Sequence, residues 1–481
     1  MAEKRVKVLL AGAECAPFAK IGGLADVLGT LPQELIRLGM DARVILPFHS
    51  QIKAKYAEKT EHVADFHIDL GWRKDKYVGV EKLVKDKVTY YFIDSNDYFS
   101  GPVYKGGMEE GEQYAFFSRA VIECLDKIGF MPDLLQCNDW HTAVIPMLIK
   151  TQYEGRPQGK IKTVYTMHNL MYQGVFSFGT VQDWLNIDSR YYHPDYMELN
   201  GCANFVKSAL VFADKLSTVS PSYAEEIKTP YYACNLEGML NKRAGDLVGI
   251  VNGIDINEWD PATDPHTPYH FDRNDLTGKR QNKEALYREL GLTVPVDTPL
   301  IGMVSRMTEQ KGFDLVMRVF DEIMEEDVAI VLVGTGDYKY EHFFWEMERK
   351  YKGRVCSYLA YSNAVAHRVY AASDLFLMPS KFEPCGISQM IAMRYGTLPV
   401  VRETGGLRDT VFPYDEQNGQ GNGFSFANFN AHDMLYVIRY ALSVLADEGA
   451  HRELVNHALD CDNSFAVSAE KYYTMFMDVL R

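Results

Sequence analysis

Pro379-Ser-Lys-Phe-Glu-Pro-Cys-Gly-Ile-Ser-Gln389 follows the apolar run Asp374-Leu-Phe-Leu-Met378, which reads as a buried strand, and leads into residues 387–395, which read as a helix. A glutamate, a cysteine and a glycine therefore sit where a strand ends and a helix begins. In open α/β sheets, ligands bind at the carboxyl ends of strands. The helix-start amides near Gly386, Ile387 and Ser388 favour an anion. Glu383 is itself an anion, so it is expected to meet a neutral part of the ligand while the amides meet a phosphate. The competing reading is a loop glutamate that caps a helix.

Outward from this stretch, the second half alternates regularly. A strand over 300–304 ends in Ser305-Arg-Met-Thr-Glu-Gln-Lys-Gly312, and a helix is expected over 313–325. A strand over 328–333 ends in Gly334-Thr-Gly336, followed by a helix over 338–350, a strand near Val355, Tyr361 in a loop and a helix over 365–372. A strand over 398–401 ends in Glu403-Thr-Gly-Gly-Leu407. Such alternation means a parallel sheet covered on both faces. Arg306 and Lys311 flank one strand-end loop, and two cations there suit a diphosphate. The alternative is an ordinary surface pair.

The first half reads as another α/β domain. A strand over 6–11 runs into Ala13-Glu-Cys-Ala-Pro-Phe-Ala-Lys-Ile-Gly-Gly23, and a helix with apolar positions from Leu24 to Leu38 ends at Gly39. Gly22 and Gly23 permit close backbone approach to a ligand, and Lys20 adds a positive charge. The pattern is not the dinucleotide fingerprint. Strands over 42–46, 67–70, 78–83 and 88–93 and a helix over 113–128 follow, the last two strands being joined by Lys85-Asp-Lys87. Three further strands, over 134–137, 162–167 and 216–219, discharge polar groups at their carboxyl ends: Asn138-Asp-Trp-His141, His168-Asn169 and Ser220-Pro-Ser222. Several polar clusters on one edge favour a site over isolated structural residues.

The chain has 481 residues, 47% hydrophobic content and a net charge of -15, with a pI near 5.4. This length suits two domains, and the acidity argues against nucleic acid as a partner. Eight cysteines form no Cys-x-x-Cys pair, which suits free thiols in a reducing compartment, so a cytoplasmic protein is expected. The apolar run after the basic N-terminus is too short for a signal peptide and stops at Glu14, and no stretch has the length of a membrane helix. Nothing in the sequence signals an oligomeric state.

The motifs Lys20-Ile-Gly-Gly-Leu-Ala-Asp-Val27, Asp139-Trp-His141, His168-Asn-Leu-Met-Tyr-Gln-Gly174, Ser305-Arg-Met-Thr-Glu-Gln-Lys-Gly312, Phe382-Glu-Pro-Cys-Gly386 and Thr404-Gly-Gly-Leu407 occur in this order. As a set they resemble the bacterial glycogen synthase and plant starch synthase family. The resemblance implies a GT-B fold, in which two Rossmann-like domains with parallel sheets face each other across a cleft. It places the first domain at 1–253, on the acceptor side, and the donor-binding second domain at 254–465. A C-terminal helix at 466–481 returns to the first domain. It implies transfer of glucose from ADP-glucose to the 4-hydroxyl at the non-reducing end of an α-1,4-glucan such as glycogen, with retention of configuration.

Carried over by position, Lys20, His168, Arg306, Lys311 and Glu383 are the expected catalytic groups. Lys20, Gly22 and Gly23 match the loop that approaches the donor, with Ile21 where bacterial members commonly have Thr or Val. His168 and Asn169 match contacts to the donor sugar, and Arg306 and Lys311 match the diphosphate cations. Glu383, Cys385 and Gly386 match the sugar-contacting turn. Ser388, beside Ile387, matches a phosphate-holding position, and Tyr361 an aromatic near adenine. Asp26, Asp139, Trp140, His141 and Gln173 are acceptor or cleft candidates, and Tyr98-Phe99 is a further aromatic candidate near the nucleotide. Related transferases carry a second glutamate seven residues after the first; Met390 stands there, as in this family.

The chemistry follows from these groups. Charge grows on the departing diphosphate, and cations and amides stabilise it. Glycosidase-type retention needs two carboxylates flanking the anomeric carbon, and the second is not evident. As in the family, front-face attack is expected, with the leaving phosphate accepting the acceptor's proton. No metal or other cofactor is implied; Asp460-Cys-Asp462 reads as a solvated turn. Two other readings remain: a related retaining enzyme using UDP-glucose or another acceptor, and a glucan-binding protein without catalysis.

Overall fold

The apolar stretch Lys7–Ala11 forms strand β1, with four of its five residues buried. Its parallel neighbours are β2 (Asp41–Pro47), in register Val8↔Ala42, and a strand from much further along the chain, in register Val8↔Leu134. Between β1 and β2 the helix Gly23–Arg37 buries Leu24, Val27, Leu28, Leu31 and Leu35 on one face. Helical spacing in the sequence thus becomes one apolar stripe against the sheet.

The computed structural model describes residues 5–481. The chain divides into two units, Met1–Asn252 with Phe465–Arg481, and Gly253–Ser464.

In the first unit, β3 (Glu61–Leu70), β4 (Arg73–Lys85), β5 (Val88–Asp94), β6 (Leu134–Asn138) and β7 (Lys162–Met167) follow β2. Then come the short strands β8 (Val175–Phe176), β9 (Glu198–Leu199) and β10 (Cys202–Asn204), and finally β11 (Lys215–Thr218) and β12 (Leu247–Gly249). The main sheet has the order β12-β11-β7-β6-β1-β2-β5-β4-β3, and β8, β10 and β9 form a small antiparallel sheet. Only the β3–β4 and β4–β5 pairings of the main sheet are antiparallel. Asp86 and Lys87 form the β4–β5 turn at φ 50° and 69°, the left-handed pair a two-residue hairpin demands. The C-terminal helix Phe465–Leu480 buries Tyr472, Met475 and Phe476 in this unit, and Ser468 Oγ donates to the Val251 carbonyl at 2.7 Å.

The second unit carries β13 (Leu300–Val304), β14 (Ala329–Val333), β15 (Val355–Tyr358), β16 (Leu375–Met378), β17 (Leu398–Arg402) and β18 (Phe424–Phe426). Their order is β15-β14-β13-β16-β17-β18, all parallel. At its ends Ile254 N donates to Asn463 O at 2.8 Å.

Among the parallel strands of the two large sheets, the order reverses between β6 and β1 in the first unit and between β13 and β16 in the second. Loops leaving adjacent strands in opposite directions open a crevice there, the usual ligand position of a doubly wound sheet. Several elements differ from the sequence reading. The helix expected over 313–325 is broken at Val319 into Phe313–Arg318 and Phe320–Met324. The break lets Phe320 pack edge-on against Phe343 and Phe344, so tertiary packing overrides local continuity. The helix expected over 113–128 runs over Gly107–Cys124. The sequence reading also passed over helices at Phe178–Leu185, Phe205–Phe212, Thr277–Leu290, Ala431–Leu445 and Glu448–Asp460.

Candidate functional site

The second unit gathers its motif loops at the β13/β16 switch point. The loop after β13 carries Arg306 and Lys311; the loop after β16 carries Glu383. Lys381 N donates to Gln310 O at 2.8 Å and Gln310 Nε2 to Phe382 O at 3.3 Å, so the two loops are knitted together. Gly312 sits at φ +75°, and a Cβ there would lie 1.9 Å from the Pro379 carbonyl oxygen. Only glycine allows both the conformation and the approach.

Within this frame Lys311 Nζ donates to Glu383 Oε2 at 2.5 Å, and Ser380 Oγ donates to the same oxygen at 3.3 Å. Glu383 is buried, Lys311 half-buried and Arg306 exposed. The sequence reading set Lys311 on a diphosphate and Glu383 on a sugar as independent groups. The structure pairs them, so the carboxylate is held by a cation and a hydroxyl from two loops. Gly405 and Gly406, which open the helix Gly405–Thr410 after β17, press against the backbone of this turn: a Cβ on either would lie 2.0 Å from the carbonyl oxygen of Glu383 or Cys385, respectively. The Gly-Gly pair is therefore needed for packing behind Glu383.

Gly386 adopts φ +75° at the start of the short helix Ser388–Arg394, whose N-cap is Ile387. Gln389 Nε2 donates to the carbonyls of Cys385 and Gly386, and Cys385 is buried. Ser388 is the first residue of that helix and is half-buried. Tyr361 lies on the same sheet edge, in the loop after β15, and is 83% exposed, open to a flat ligand.

In the first unit the β1 and β6 loops meet at the other switch point. Lys20 is exposed and forms an ion pair of 2.6 Å with Asp26, in the first turn of the following helix. Beneath the loop, the buried carboxylate of Glu14 accepts hydrogen bonds from Ile21 N at 2.6 Å and Gly22 N at 2.9 Å. Burial raises the Glu14 pKa, against the lowering effect of these bonds. The Ile21 and Gly22 amides are thus occupied by an internal carboxylate, so the approach of this loop to a ligand rests on the lack of side chains at Gly22 and Gly23 and on Lys20. Glu14 had served in the sequence only to end an apolar run. An acid set among buried residues just past a strand was the available signal.

Asp139 takes φ 55°, unusual for a residue with a side chain. Its carboxylate accepts from His168 N at 2.8 Å and Asn169 N at 3.4 Å, so it shapes the loop after β7. His168 Nε2 lies 2.9 Å from Asn138 Oδ1, and burial lowers its pKa, which keeps the imidazole neutral at pH 7. Lys20, Asp139, His168 and Asn169 thus share one edge. His141 differs from its reading as a cleft residue: it is buried, with Nε2 3.5 Å from Glu110 and its ring against Tyr104 and Tyr114. Tyr98 and Phe99 are also buried, Tyr98 stacked on Phe116 at 4.0 Å. The apolar character that singled out these aromatics reflects core packing. Trp140 and Gln173 line a cavity of about 440 Å³ with Glu110, Met171, Tyr172 and Phe176. Gln173 is further tied by Asn204 Nδ2, which donates to its Oε1 at 2.5 Å. Among the described residues, no group of three or more His, Cys, Asp or Glu side chains is arranged to hold a metal ion. No helix among them is long and apolar enough to cross a membrane.

Two doubly wound units, each with its polar loops at a switch point, a paired lysine and glutamate, and an exposed arginine at the same strand end fit a glycosyltransferase of the GT-B class. The starch synthase catalytic domain family matches residues 7–242, and the glycosyl transferases group 1 family matches residues 291–458. The chain belongs to the glycogen and starch synthase family. It is 49% identical to a glycogen synthase of Geobacillus thermodenitrificans over 477 residues, 99% of this chain and 98% of the relative. It is 45% identical to a glycogen synthase of Bacillus cereus, over 99% of this chain and all of the relative. The solved catalytic domain of starch synthase IV from Arabidopsis thaliana, bound to ADP and acarbose, superposes with a TM-score of 0.90 at 32% identity, over 99% of this chain and 100% of that one. Sucrose-phosphate synthase from Thermosynechococcus elongatus shares the fold, with a TM-score of 0.62 at 17% identity over 99% of each chain.

Proposed function

We propose that the chain transfers glucose from ADP-glucose to the non-reducing end of an α-1,4-glucan, glycogen in particular, with retention of configuration. The observation that carries this reading is the Lys311–Glu383 pair at the β13/β16 switch point, with Arg306 exposed at the same strand end. A binding scaffold has no need of a buried, ion-paired carboxylate there. The Arabidopsis relative supports the donor and acceptor classes, since it was solved with ADP and acarbose.

In this mechanism Arg306 and Lys311 hold the donor diphosphate. As the bond from anomeric carbon to phosphate oxygen breaks, negative charge grows on the leaving phosphate, and preorganised cations lower that barrier. Lys311 then divides its attraction between Glu383 and the phosphate. Glu383, fixed by Lys311 and Ser380, accepts hydrogen bonds from the sugar hydroxyls and stabilises the positive charge that develops on the ring. The acceptor hydroxyl attacks from the face the phosphate leaves, and the phosphate takes its proton, which accounts for retention without a second carboxylate. In the first unit, Lys20 supplies a hydrogen-bond donor to the phosphate, and neutral His168, whose one N–H is given to Asn138 Oδ1, leaves Nδ1 to accept from a sugar hydroxyl. No metal or cofactor takes part.

The test is ADP release from ADP-glucose with and without glycogen, and the same with UDP-glucose as competing donor. Glycogen-dependent release of ADP, at a kcat/KM exceeding that for UDP-glucose, is expected. Equal use of both donors would remove the ADP-glucose assignment; release independent of glycogen would remove the acceptor.

A further inference from the structure

The helix Tyr338–Lys350 has two faces of different kind. Its inner face is fixed: Tyr340 and Phe344 are fully buried, Phe344 packs edge-on against Phe313 and Phe320, and the Tyr340 hydroxyl donates to Asp314 at 3.0 Å. Its outer face carries Tyr338, His342, Trp345 and Arg349, spaced four, three and four residues apart. At 3.6 residues per turn these positions fall on one narrow line along the helix. Tyr338 is 76% and Trp345 46% exposed. The rings form a ladder: Tyr338 to His342 is 5.5 Å between centroids, His342 to Trp345 is 5.9 Å, and the Arg349 guanidinium lies 4.6 Å over the Trp345 ring. Glu346 lies beside it, 3.7 Å from His342 Nδ1. Among the described residues, no other helix shows three exposed rings in succession, each in contact with the next.

We propose that this outer face is a surface binding site for α-1,4-glucan, distinct from the transfer site and resting on the reading of the chain as an α-1,4-glucan glucosyltransferase. A glucose ring presents an apolar face of C–H groups and a rim of hydroxyls. Flat rings in series accept the faces, while Glu346, Arg349 and His342 lie where the rims need hydrogen-bonding groups. The line contains no aliphatic side chain, unlike the apolar centre of a protein interface. Arg349 and Glu346 offset each other in charge, which suits a neutral ligand, and a chain of net charge -15 repels nucleic acid. The ladder is also continuous with the sheet edge. It begins two residues after Gly336, which pairs with Met307 beside Arg306, and Asp337 N donates to Met307 O at 2.8 Å. A polymer held here keeps its chain ends at high local concentration near the enzyme.

The experiment is native electrophoresis of the full chain through gels containing glycogen, combined with transfer assays on glycogen and on maltotriose. For the double variant Tyr338→Ala/Trp345→Ala, glycogen affinity should fall roughly tenfold and KM for glycogen should rise in step. Transfer to maltotriose, too short to use both sites, should be unchanged. The variant Tyr338→Phe/Trp345→Phe should keep near-normal retardation, because the rings remain. Unchanged retardation of the alanine variant, or a wild-type chain that glycogen does not retard, overturns the surface site. Failure of the transfer reading shows separately, as no transfer from ADP-glucose to maltotriose by the wild-type chain.

Discussion

Replacing Lys311 by methionine removes the cation while keeping most of the side-chain bulk. In the wild type the ion pair is 2.5 Å long, with Glu383 9% and Lys311 20% exposed at the side chain. Removing one partner of a buried pair costs about 3–5 kcal/mol, because the other charge stays buried without compensation. One-fifth exposure lets water screen the lysine, so about 2–3 kcal/mol is expected here. For a unit of this size that is a fall in Tm of roughly 4–12 °C. Glu383→Gln should cost less, since a neutral amide can keep the Ser380 bond. The double variant Lys311→Met/Glu383→Gln should recover at least about 1 kcal/mol relative to the sum of the single variants. Turnover should not recover: each single variant and the double should lose about two orders of magnitude in kcat/KM, some 2.7 kcal/mol of transition-state stabilisation. Thermal and urea unfolding followed by near-ultraviolet dichroism, with ADP release measured in parallel, supply both readouts. Additive stabilities, within about 0.5 kcal/mol, would refute the pairing; near-normal turnover of Glu383→Gln would remove that residue from the mechanism.

Arg306→Ala should raise KM for ADP-glucose roughly tenfold or more, as loss of a charge-assisted contact implies, and leave glycogen retardation in a gel unchanged; equal loss of both would move Arg306 out of the donor site. Lys20→Ala should lower kcat while calorimetry finds ADP bound with nearly wild-type affinity. Glu14→Ala should reproduce that kinetic defect without touching the ligand, by freeing the Ile21 and Gly22 amides it holds; full activity of Glu14→Ala would mean the loop keeps its shape unaided. Burial brings His49 down from 6.5 to about 3. The unfolded chain therefore binds a proton that the folded chain refuses between these values, so stability is present above pH 6.5 and is lost as pH falls, by up to about 1.4 kcal/mol per pH unit from this group. Urea unfolding of His49→Gln at pH 7, 6 and 5 should show a flatter acid slope than the wild type; identical slopes would contradict the buried neutral imidazole.

What the sequence determined by itself was local. Runs of apolar residues at strand or helix spacing marked Lys162–Met167, Leu300–Val304 and Tyr338–Lys350 to the residue, because burial imposes a period that neighbouring positions display. Polar motifs at strand ends marked the edges where a ligand binds, because a doubly wound sheet has nowhere else to put them. The helices Phe178–Leu185 and Phe205–Phe212 went unread because each is eight residues long, only about two turns, and takes its stability from the core it packs on. Partnership between distant residues was decided only in three dimensions. Lys311 and Glu383 lie 72 residues apart, and no pattern within either motif says that they touch. His141 and Asp139 stand two residues apart with the same apparent promise; one turns into the core and the other ties down the next loop. Glu14 acquired its role only once the chain folded back over it. Side-chain direction at a strand end depends on which loops arrive beside it, and strand order is fixed by packing over the whole sheet rather than by any stretch of sequence.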